Sequence, residues 1–180
     1  MKIGVLALQG AFSKHIEMLR QIDVSAVEVR RMSQLDDVDG LIIPGGESTT
    51  IWKLNDLPLA NFPRPIFGTC AGMILLARLG LVEVTIERNA YGRQYASFST
   101  HLDVYLDTPQ KIHAIFIRAP RITAIHSSKV ILLAKTPVLV RQENYLASAF
   151  HPELTKNPAI HHYFIKMCKD NKSLTTATHP

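Results

Sequence analysis

The sequence contains few cysteines and no long hydrophobic run. Only two of its 180 residues are cysteines, Cys70 and Cys168, and their wide separation argues against a disulfide framework and favours a reducing, cytoplasmic environment. The N-terminal apolar run Ile3–Leu8 ends at Gln9 and Gly10, too early for a signal-peptide core or a membrane span. We therefore expect a protein without a membrane partner.

Charge of either sign is not concentrated in one part of the chain. The formal net charge is +5, but the basic residues form only short pairs such as Arg30–Arg31, with no basic tract interleaved with aromatics. This pattern weighs against nucleic acid as a partner. With 47% hydrophobic residues, the chain is long enough for one globular domain with a full core. We expect a single domain over residues 1–170 and a frayed polar tail over residues 171–180.

Sequence signatures of nucleotide and metal sites are also missing. The pair Gly45–Gly46 is followed by no Lys–Ser/Thr, and no Gly-x-Gly-x-x-Gly occurs in the chain. His161 and His162 are adjacent on a predicted helix, so their side chains diverge by about 100° and cannot share one ion. His15, like the other isolated histidines, has no partner at ligand spacing. We therefore expect no metal site.

Apolar segments in the first half of the chain alternate with helical patterns. Ser13 is predicted to cap a helix that contains Ile16 and Leu19. Such regular alternation indicates a parallel sheet with helices on both faces. The predicted strands of this half are Ile3–Leu8, Ala26–Arg30, Gly40–Pro44 and the apolar residues that precede Cys70.

The second half changes to short strands separated by turns. Apolar and polar residues alternate between Phe98 and Leu106, which predicts a strand with one buried face. A last helix is predicted to open at Asn157 or Pro158. The further predicted strands are Val82–Arg88, Ile112–Ile117, Val130–Ala134, Pro137–Arg141 and Tyr145–Phe150. The predicted fold is an α/β three-layer sandwich with a central, mostly parallel sheet, helices on both faces and an antiparallel extension.

The segment Pro65–Met73 predicts a buried strand, a sharp turn and a helix, with Cys70 at the turn. Small residues flank the cysteine, as a side chain exposed at such a turn requires. A helix N-terminus favours the thiolate form of this cysteine, and the N–H of Ala71 points where an oxyanion could form. The alternative is a cysteine that only packs at a strand–helix junction, since free cysteines are commonly buried.

The segment His151–Pro152–Glu153 could supply a base and its orienting carboxylate. In an extended chain residues two apart project to one side, and Pro152 biases His151 toward that conformation. A carboxylate beside an imidazole fixes its tautomer and stabilises the imidazolium. Together with Cys70 this makes the three parts of a thiol acyl-transfer site. The alternative is a surface turn.

Two further groups of residues could bind a substrate. Gly45–Gly46 ends a predicted strand, where backbone N–H groups can approach a ligand, and Glu47 could bind an α-ammonium group. Arg93 and Arg118 lie next to apolar strand ends and could hold a carboxylate in two hydrogen bonds. The alternatives are a glycine turn with Ser48 as a helix cap, and ordinary surface arginines.

In combination these motifs resemble the class I (triad) glutamine amidotransferases, and among them the glutaminase subunits of pyridoxal 5′-phosphate synthase. The resemblance runs from Met1 to about Lys169 in one order. It departs at residues 55–64 and 78–81, where this chain is short. The segments that carry it are 6–11, 44–50, 68–72, 87–94, 116–120 and 148–155.

The resemblance implies a glutaminase that hydrolyses L-glutamine to glutamate and ammonia through a glutamyl thioester, and needs no cofactor of its own. The implied partner is a barrel-shaped synthase subunit that uses the ammonia to make pyridoxal 5′-phosphate, in a hetero-oligomeric complex that activates the glutaminase. The implied site residues are Cys70, His151 and Glu153 for catalysis, Gly46 and Ala71 for the oxyanion hole, Gly46, Glu47, Ser48, Arg93, Ile117 and Arg118 for glutamine, and Gln9 and Gly10 for the partner. The alternatives are the glutaminase of another synthase, such as that of histidine biosynthesis, a cysteine peptidase of related fold, and a non-enzymatic subunit on the same scaffold.

Overall fold

A computed structural model of the 180-residue chain describes residues 1–8, 10–46, 59–88, 90 and 97–177. Within these residues it contains three α-helices and eleven strands, with short 3-10 helices at Met32–Gln34, Leu59–Asn61 and Pro152–Leu154. The helices are α1 (Phe12–Gln21), α2 (Ala71–Arg78) and α3 (Ala159–Ala177). The strands are β1 (Lys2–Leu6), β2 (Ser25–Val29), β3 (Gly40–Ile43), β4 (Ile66–Thr69), β5 (Val84–Glu87), β6 (Ser97–Tyr105), β7 (Pro109–Ile117), β8 (Arg121–Ile125), β9 (Ile131–Leu132), β10 (Leu139–Gln142) and β11 (Tyr145–Ser148).

Seven of the strands form a central sheet in the order β2-β1-β3-β4-β11-β10-β9. The first five strands in this order are parallel to one another, and β10 and β9 extend the sheet by antiparallel pairing. In this register Gly68 of β4 lies beside Ile43 of β3, and Thr69 lies beside Ser148 of β11. The sheet therefore aligns the carboxyl ends of β3, β4 and β11 at one edge.

Helices cover both faces of this sheet, as two consecutive residues of β4 demonstrate. The ring of Phe67 contacts His161 and Phe164 of α3 and His15 of α1. On the opposite face, a Cβ atom at Gly68 would meet Gly72 and Leu76 of α2. All residues of β3 and β4 are buried, so both strands are continuous apolar runs rather than alternating ones. Complete burial of a side chain such as Phe67 contributes about 1.5–3 kcal/mol. The predicted α/β sandwich is confirmed.

Helix α2 ends in a tight turn that returns the chain toward β5. The N–H of Leu81 donates to the carbonyl of Leu76 at 3.0 Å, and the N–H of Gly80 donates to that of Ala77 at 3.1 Å. Gly80 has φ +70°, the left-handed conformation that this type of helix ending requires. A single glycine turn therefore forms the shortened segment 78–81.

The predicted antiparallel extension of the central sheet is formed by β10 and β9, whereas the strands β5 to β8 form two further sheets. β5 pairs with β8, and β6 pairs with β7, as two separate two-stranded sheets. The rings of Phe98 and Phe116 stack at 4.6 Å on the β6–β7 hairpin. The N–H of His151 donates to the carbonyl of Ile115 at 2.8 Å, so β7 is fastened beside the residues that follow β11.

The ends of two helices also differ from the sequence expectations. Helix α1 begins at Phe12 and has no side-chain cap, so Ser13 lies inside the helix instead of capping it. Helix α3 continues to Ala177, where a frayed tail from residue 171 is expected. Its start agrees with the prediction, because Asn157 Oδ1 accepts a 2.9 Å hydrogen bond from the N–H of Ala159. No helix among the described residues is long and apolar enough to cross a membrane.

Candidate active site

Three adjacent parallel strands deliver the candidate catalytic residues to one edge of the sheet. Gly45 and Gly46 follow β3, Cys70 follows β4, and His151 follows β11. Since β4 pairs with both β3 and β11, these segments are neighbours in space. Ligand sites of open parallel sheets lie beyond the carboxyl ends of the strands. The sequence-predicted residues Cys70, His151 and Glu153 are therefore brought together at such an edge.

Cys70 occupies a strained turn between β4 and α2. Its backbone has φ 49° and ψ −102°, a conformation that costs a residue with a side chain about 1–3 kcal/mol. Its N–H donates to the carbonyl of Ser148 at 2.7 Å, which ties the turn to β11. Ala71 is the first residue of α2, and the first N–H groups of a helix have no partner within the helix. The turn thus places a thiol and a free N–H side by side.

Glycines next to this turn make the close packing possible. A Cβ atom at Gly72 would overlap with the carbonyl oxygen of Ile43. A Cβ atom at Gly45 would lie 2.6 Å from Cε1 of His151 and 3.2 Å from Cβ of Cys70. Gly45 therefore forms the floor against which the thiol and the imidazole meet. A Cβ atom at Gly10 would overlap with the carbonyl oxygen of Gly45, so the loop after β1 packs directly on this segment.

His151 lies between Cys70 and Glu153. Its Nδ1 is 2.8 Å from Oε1 of Glu153, and Cys70 is a neighbour of the same ring. Burial lowers the pKa of His151, but the hydrogen bonds and charges of Cys70 and Glu153 outweigh it and raise this pKa to about 10. The imidazole of His151 is therefore held in its protonated form.

Glu153 is a buried carboxylate whose charge is stabilised locally. Its side chain is inaccessible to solvent, and burial alone would raise its pKa. The electrostatic interaction with His15, followed by the hydrogen bond and charge of His151, reverses that effect, so the pKa of Glu153 is lowered. The residue lies in the 3-10 helix Pro152–Leu154 and not in an extended strand. The side chains meet as expected, but a helical turn after Pro152 brings the carboxylate back to the ring.

The end of β7 forms one wall of the site. The carbonyl oxygen of Ile117 lies 3.8 Å from Sγ of Cys70. Arg118 follows with φ 43° and an exposed side chain. Ile117 and Arg118 therefore lie at the thiol, where residues that hold a substrate are needed. The expected substrate residues Glu47, Ser48 and Arg93, and the expected partner residue Gln9, lie outside the described residues.

Three buried polar residues next to the triad have no sequence motif. His15 Nδ1 lies 3.0 Å from Nε2 of His161, and His15 Nε2 lies 3.3 Å from Oγ1 of Thr69 and 3.4 Å from Oε2 of Glu153. The hydroxyl of Thr69 accepts a 3.0 Å hydrogen bond from the N–H of Gly45. The available signal was a histidine on the apolar face of each helix, beside Ile16 and Leu19 in α1 and beside Phe164 in α3.

Within the described part of the chain, Cys168 and the remaining histidines form no second centre. Cys168 is buried in α3, and burial raises the pKa of its thiol to about 12, so this thiol is unreactive. Among the described residues no group of three or more histidine, cysteine or acidic side chains could hold a metal ion. The chemistry that the site can perform is therefore nucleophilic attack by Cys70 with proton transfer by His151.

A model of the SNO glutamine amidotransferase family matches residues 5–170 of the chain. The chain is 48% identical to the pyridoxal 5′-phosphate synthase subunit PdxT of Moorella thermoacetica, with 93% of this chain and 99% of the relative covered. It is 46% identical to the subunit of the same name from Brevibacillus brevis, with 96% and 100% covered.

A crystal structure of a glutamine amidotransferase matches the fold with a TM-score of 0.85 and 41% identity, covering 93% of this chain and 98% of that one. The resemblance expected from the sequence is confirmed: the chain belongs to the SNO glutamine amidotransferase family.

Proposed function

We propose that this chain is the glutaminase subunit of a pyridoxal 5′-phosphate synthase, which hydrolyses L-glutamine and supplies the ammonia to a synthase subunit. The observation that carries the proposal is the contact of Cys70, His151 and Glu153 beside the glycine segment at the sheet edge. The names of the curated relatives support the same synthase. The buried core cluster, which extends from Ile3 to Cys168, supports one glutaminase domain over residues 1–170.

The first half of the reaction forms a thioester. The Cys70 thiolate attacks the side-chain amide carbon of glutamine, and the carbonyl oxygen becomes an oxyanion. In our proposal the N–H groups of Ala71 and Gly46 stabilise that charge. His151 then gives its proton to the amide nitrogen, the carbon–nitrogen bond breaks, and ammonia leaves.

The second half hydrolyses the thioester. Neutral His151 takes a proton from water, and the resulting hydroxide attacks the thioester carbon. The second oxyanion collapses, the carbon–sulfur bond breaks, and glutamate leaves with Cys70 again a thiolate and His151 an imidazolium. Glu153 holds the ring so that one nitrogen faces the sulfur throughout. Each proton that His151 takes up is returned within the cycle, and the proposed reaction uses no cofactor.

Recognition of glutamine falls to residues around this thiol. In our proposal Gly46, Ile117 and Arg118 line the described part of the pocket, and Glu47, Ser48 and Arg93 complete it. The exposed guanidinium of Arg118 next to the Ile117 carbonyl suits an α-carboxylate. The contact of Gly10 with the Gly45 carbonyl supports a role for Gln9 and Gly10 at the partner surface, since a partner there would press on the oxyanion segment.

The deciding experiment measures glutamate release by the purified chain alone and with a pyridoxal 5′-phosphate synthase subunit. We expect release to rise when that subunit is added. Stimulation instead by the synthase subunit of histidine biosynthesis would assign the chain to that pathway. Absence of glutamine hydrolysis with every synthase would favour a non-enzymatic subunit.

A further inference from the structure

A second layer of polar residues lies behind the triad, in the core between α1, α3 and the sheet. His15, Thr69 and His161 are completely buried, and Glu153 is 3% exposed. Polar groups are rarely placed at such depth unless each satisfies another. These four residues are named here the His15 cluster. Glu153 is the member of this cluster that is hydrogen-bonded to His151, so it connects the cluster to the triad.

The carboxylate of Glu153 uses its two oxygens differently. Oε1 accepts the hydrogen bond of His151, whereas Oε2 has no hydrogen-bond partner among the described residues. His15 Nε2 lies 3.4 Å from Oε2, close enough for an ionic contact although the N–H direction does not make a regular hydrogen bond. An ionised carboxylate oxygen in this dry environment needs a donor, and His15 is positioned to supply it.

The two neutral tautomers of His15 leave different groups of the cluster without a partner. With the proton on Nε2, His15 faces Glu153 and Thr69 with an N–H, and its Nδ1 accepts from the Nε2–H of His161. The atom then left over is His161 Nδ1, a lone pair without a partner. With the proton on His15 Nδ1, a lone pair would face the carboxylate and His161 would bury an N–H that has no acceptor. The first arrangement leaves the smaller penalty.

The pKa values of the two buried histidines also support a neutral His15 as the donor. Burial lowers the pKa of His15, which Glu153 opposes and His151 reinforces. Burial, His15 and His162 keep the pKa of His161 well below its ordinary value. Both buried histidines are therefore neutral at pH 7. A neutral N–H donor orients the carboxylate without competing with the imidazolium of His151 for its negative charge.

We propose that His15 is a positioning residue of the triad, which donates its Nε2–H toward Glu153 while His161 fixes its tautomer. This inference rests on the proposed function for its significance, but its geometry does not. Through Thr69, which accepts the N–H of Gly45, the same histidine also supports the floor beneath the thiol. One buried side chain thus steadies both the base and the oxyanion segment.

The tautomer can be measured directly. In the full chain labelled with ¹⁵N-histidine, long-range ¹H–¹⁵N spectra distinguish the two neutral forms and the imidazolium. We expect His15 to be the neutral Nε2–H form between pH 6 and pH 8, with its signals assigned by their loss in His15→Gln. An Nδ1–H form or an imidazolium at pH 7 would overturn the proposal.

The effect on the triad is read from alkylation of Cys70 by iodoacetamide as a function of pH, because this rate follows the thiolate. The amide nitrogen of Gln reaches the Nε2 position of histidine, whereas that of Asn reaches only Nδ1. We expect His15→Gln to keep the wild-type profile. We expect His15→Asn to slow alkylation at pH 6 about tenfold.

The control is Met18→Ala, which removes a buried side chain one turn along α1 without changing the cluster. It should lower the Tm and leave the alkylation profile unchanged. A wild-type profile in His15→Asn, or an equal shift in Met18→Ala, would contradict the proposal. If His15→Asn does not fold, His161→Leu replaces it in the test. We then expect a smaller shift of the alkylation profile, and a wild-type profile would contradict the proposal. Alkylation requires neither glutamine nor the synthase, so failure of the glutaminase assignment would leave this result intact.

Discussion

The backbone N–H of Cys70 and the carbonyl oxygen of Ser148 are joined by a 2.7 Å hydrogen bond that continues the pairing of β4 with β11. His151 follows Ser148 by three residues, so this bond fixes the distance along the sheet between nucleophile and base. The active-site geometry is therefore a property of strand register, and changes to the triad should affect chemistry more than folding.

Replacement of Cys70 by alanine tests the nucleophile. We expect Cys70→Ala to reduce glutamine hydrolysis by on the order of 10⁴-fold or more, because no other thiol is near the site. Binding of the synthase subunit and synthesis from added ammonia should persist. Glutamate release and ammonia-dependent product formation are the measurements. Cys168→Ala is the control and should remain active, and loss of ammonia-dependent synthesis in a folded Cys70→Ala would contradict the assignment.

Replacement of Glu153 by glutamine tests the orienting carboxylate. Glu153→Gln keeps the shape but removes the charge that raises the pKa of His151, so that pKa should fall from its value of about 10. We expect kcat to fall by roughly 10²–10⁴-fold with a much smaller change in KM. Steady-state kinetics and an NMR titration of His151 measure the two effects. An unchanged His151 titration would show that the carboxylate does not act on the ring.

Addition of a methyl group at Gly45 tests the floor of the site. The Cβ atom of Gly45→Ala would lie 2.6 Å from His151 Cε1, and the displaced ring should lose alignment with Cys70. We expect kcat/KM for glutamine to fall by roughly 10²-fold, the cost of misplacing reacting groups by about 1 Å.

Gly80→Ala is the matched control for this glycine. A Cβ atom there meets nothing within 4 Å, but its φ of +70° disfavours alanine. It should lower stability by about 1 kcal/mol and leave kcat/KM unchanged. Equal kcat/KM values in Gly45→Ala and Gly80→Ala would show that Gly45 does not shape the site.

Replacement of Arg118 by alanine tests recognition of the substrate carboxylate. We expect KM for glutamine to rise about tenfold or more, the effect of losing a hydrogen bond between charged groups, with little change in kcat. Arg121→Ala is the control, since Arg121 of β8 is paired with Glu87 of β5 at 2.6 Å. Arg93→Ala should behave as Arg118→Ala does. A wild-type KM in Arg118→Ala would exclude that residue from the pocket.

Stability should depend on pH through the buried histidines. The folded pKa of His15 and of His161 is lowered from 6.5, so their contribution is present above that pH and is lost as the pH falls below it. His151 has the opposite sign, because its folded pKa of about 10 means that its contribution is lost as the pH rises toward 10. We therefore expect the Tm to decline on both sides of neutrality.

His161→Leu isolates the acid side of this dependence. In the wild type, His161 is neutral when buried and takes up a proton at acidic pH once unfolding exposes it. The variant lacks this group, so its Tm should fall less steeply than that of the wild type below pH 6.5. Thermal melts at several pH values provide the measurement. His162→Leu changes the exposed neighbouring histidine and should keep the wild-type slope. Parallel slopes in wild type and His161→Leu would refute this origin of the acid sensitivity.

Local patterns predict the central sheet well because both of its faces are covered. The buried runs of β3 and β4 are continuous and apolar, and the small residues around Cys70 predict a sharp turn after β4. The partner of each remaining strand is a non-local property. The alternation in β6 indicates one buried face, but not that the face packs in a separate hairpin with β7. The strand β8, with only Ile122 buried, carries a weak pattern and was not predicted.

The candidate site divides in the same way. Cys70, His151 and Glu153 are recognisable because their flanking residues constrain the backbone. His15 and His161 are 146 positions apart and meet only when α1 and α3 pack on Phe67. Their spacing carries no information about that meeting. A histidine on an apolar helical face is thus a useful signal of a buried polar partner, even when the sequence does not identify that partner.

The single-glycine turn after α2 has a practical consequence. Helix α2 starts at the nucleophile and runs away from it for eight residues, about 12 Å, so the turn at Gly80 lies far from the reacting atoms. Open space surrounds Gly80, and the hydrogen bonds that close the turn involve backbone atoms alone. A fluorophore or an affinity handle inserted there would report on assembly with a synthase while the thiol keeps its alignment.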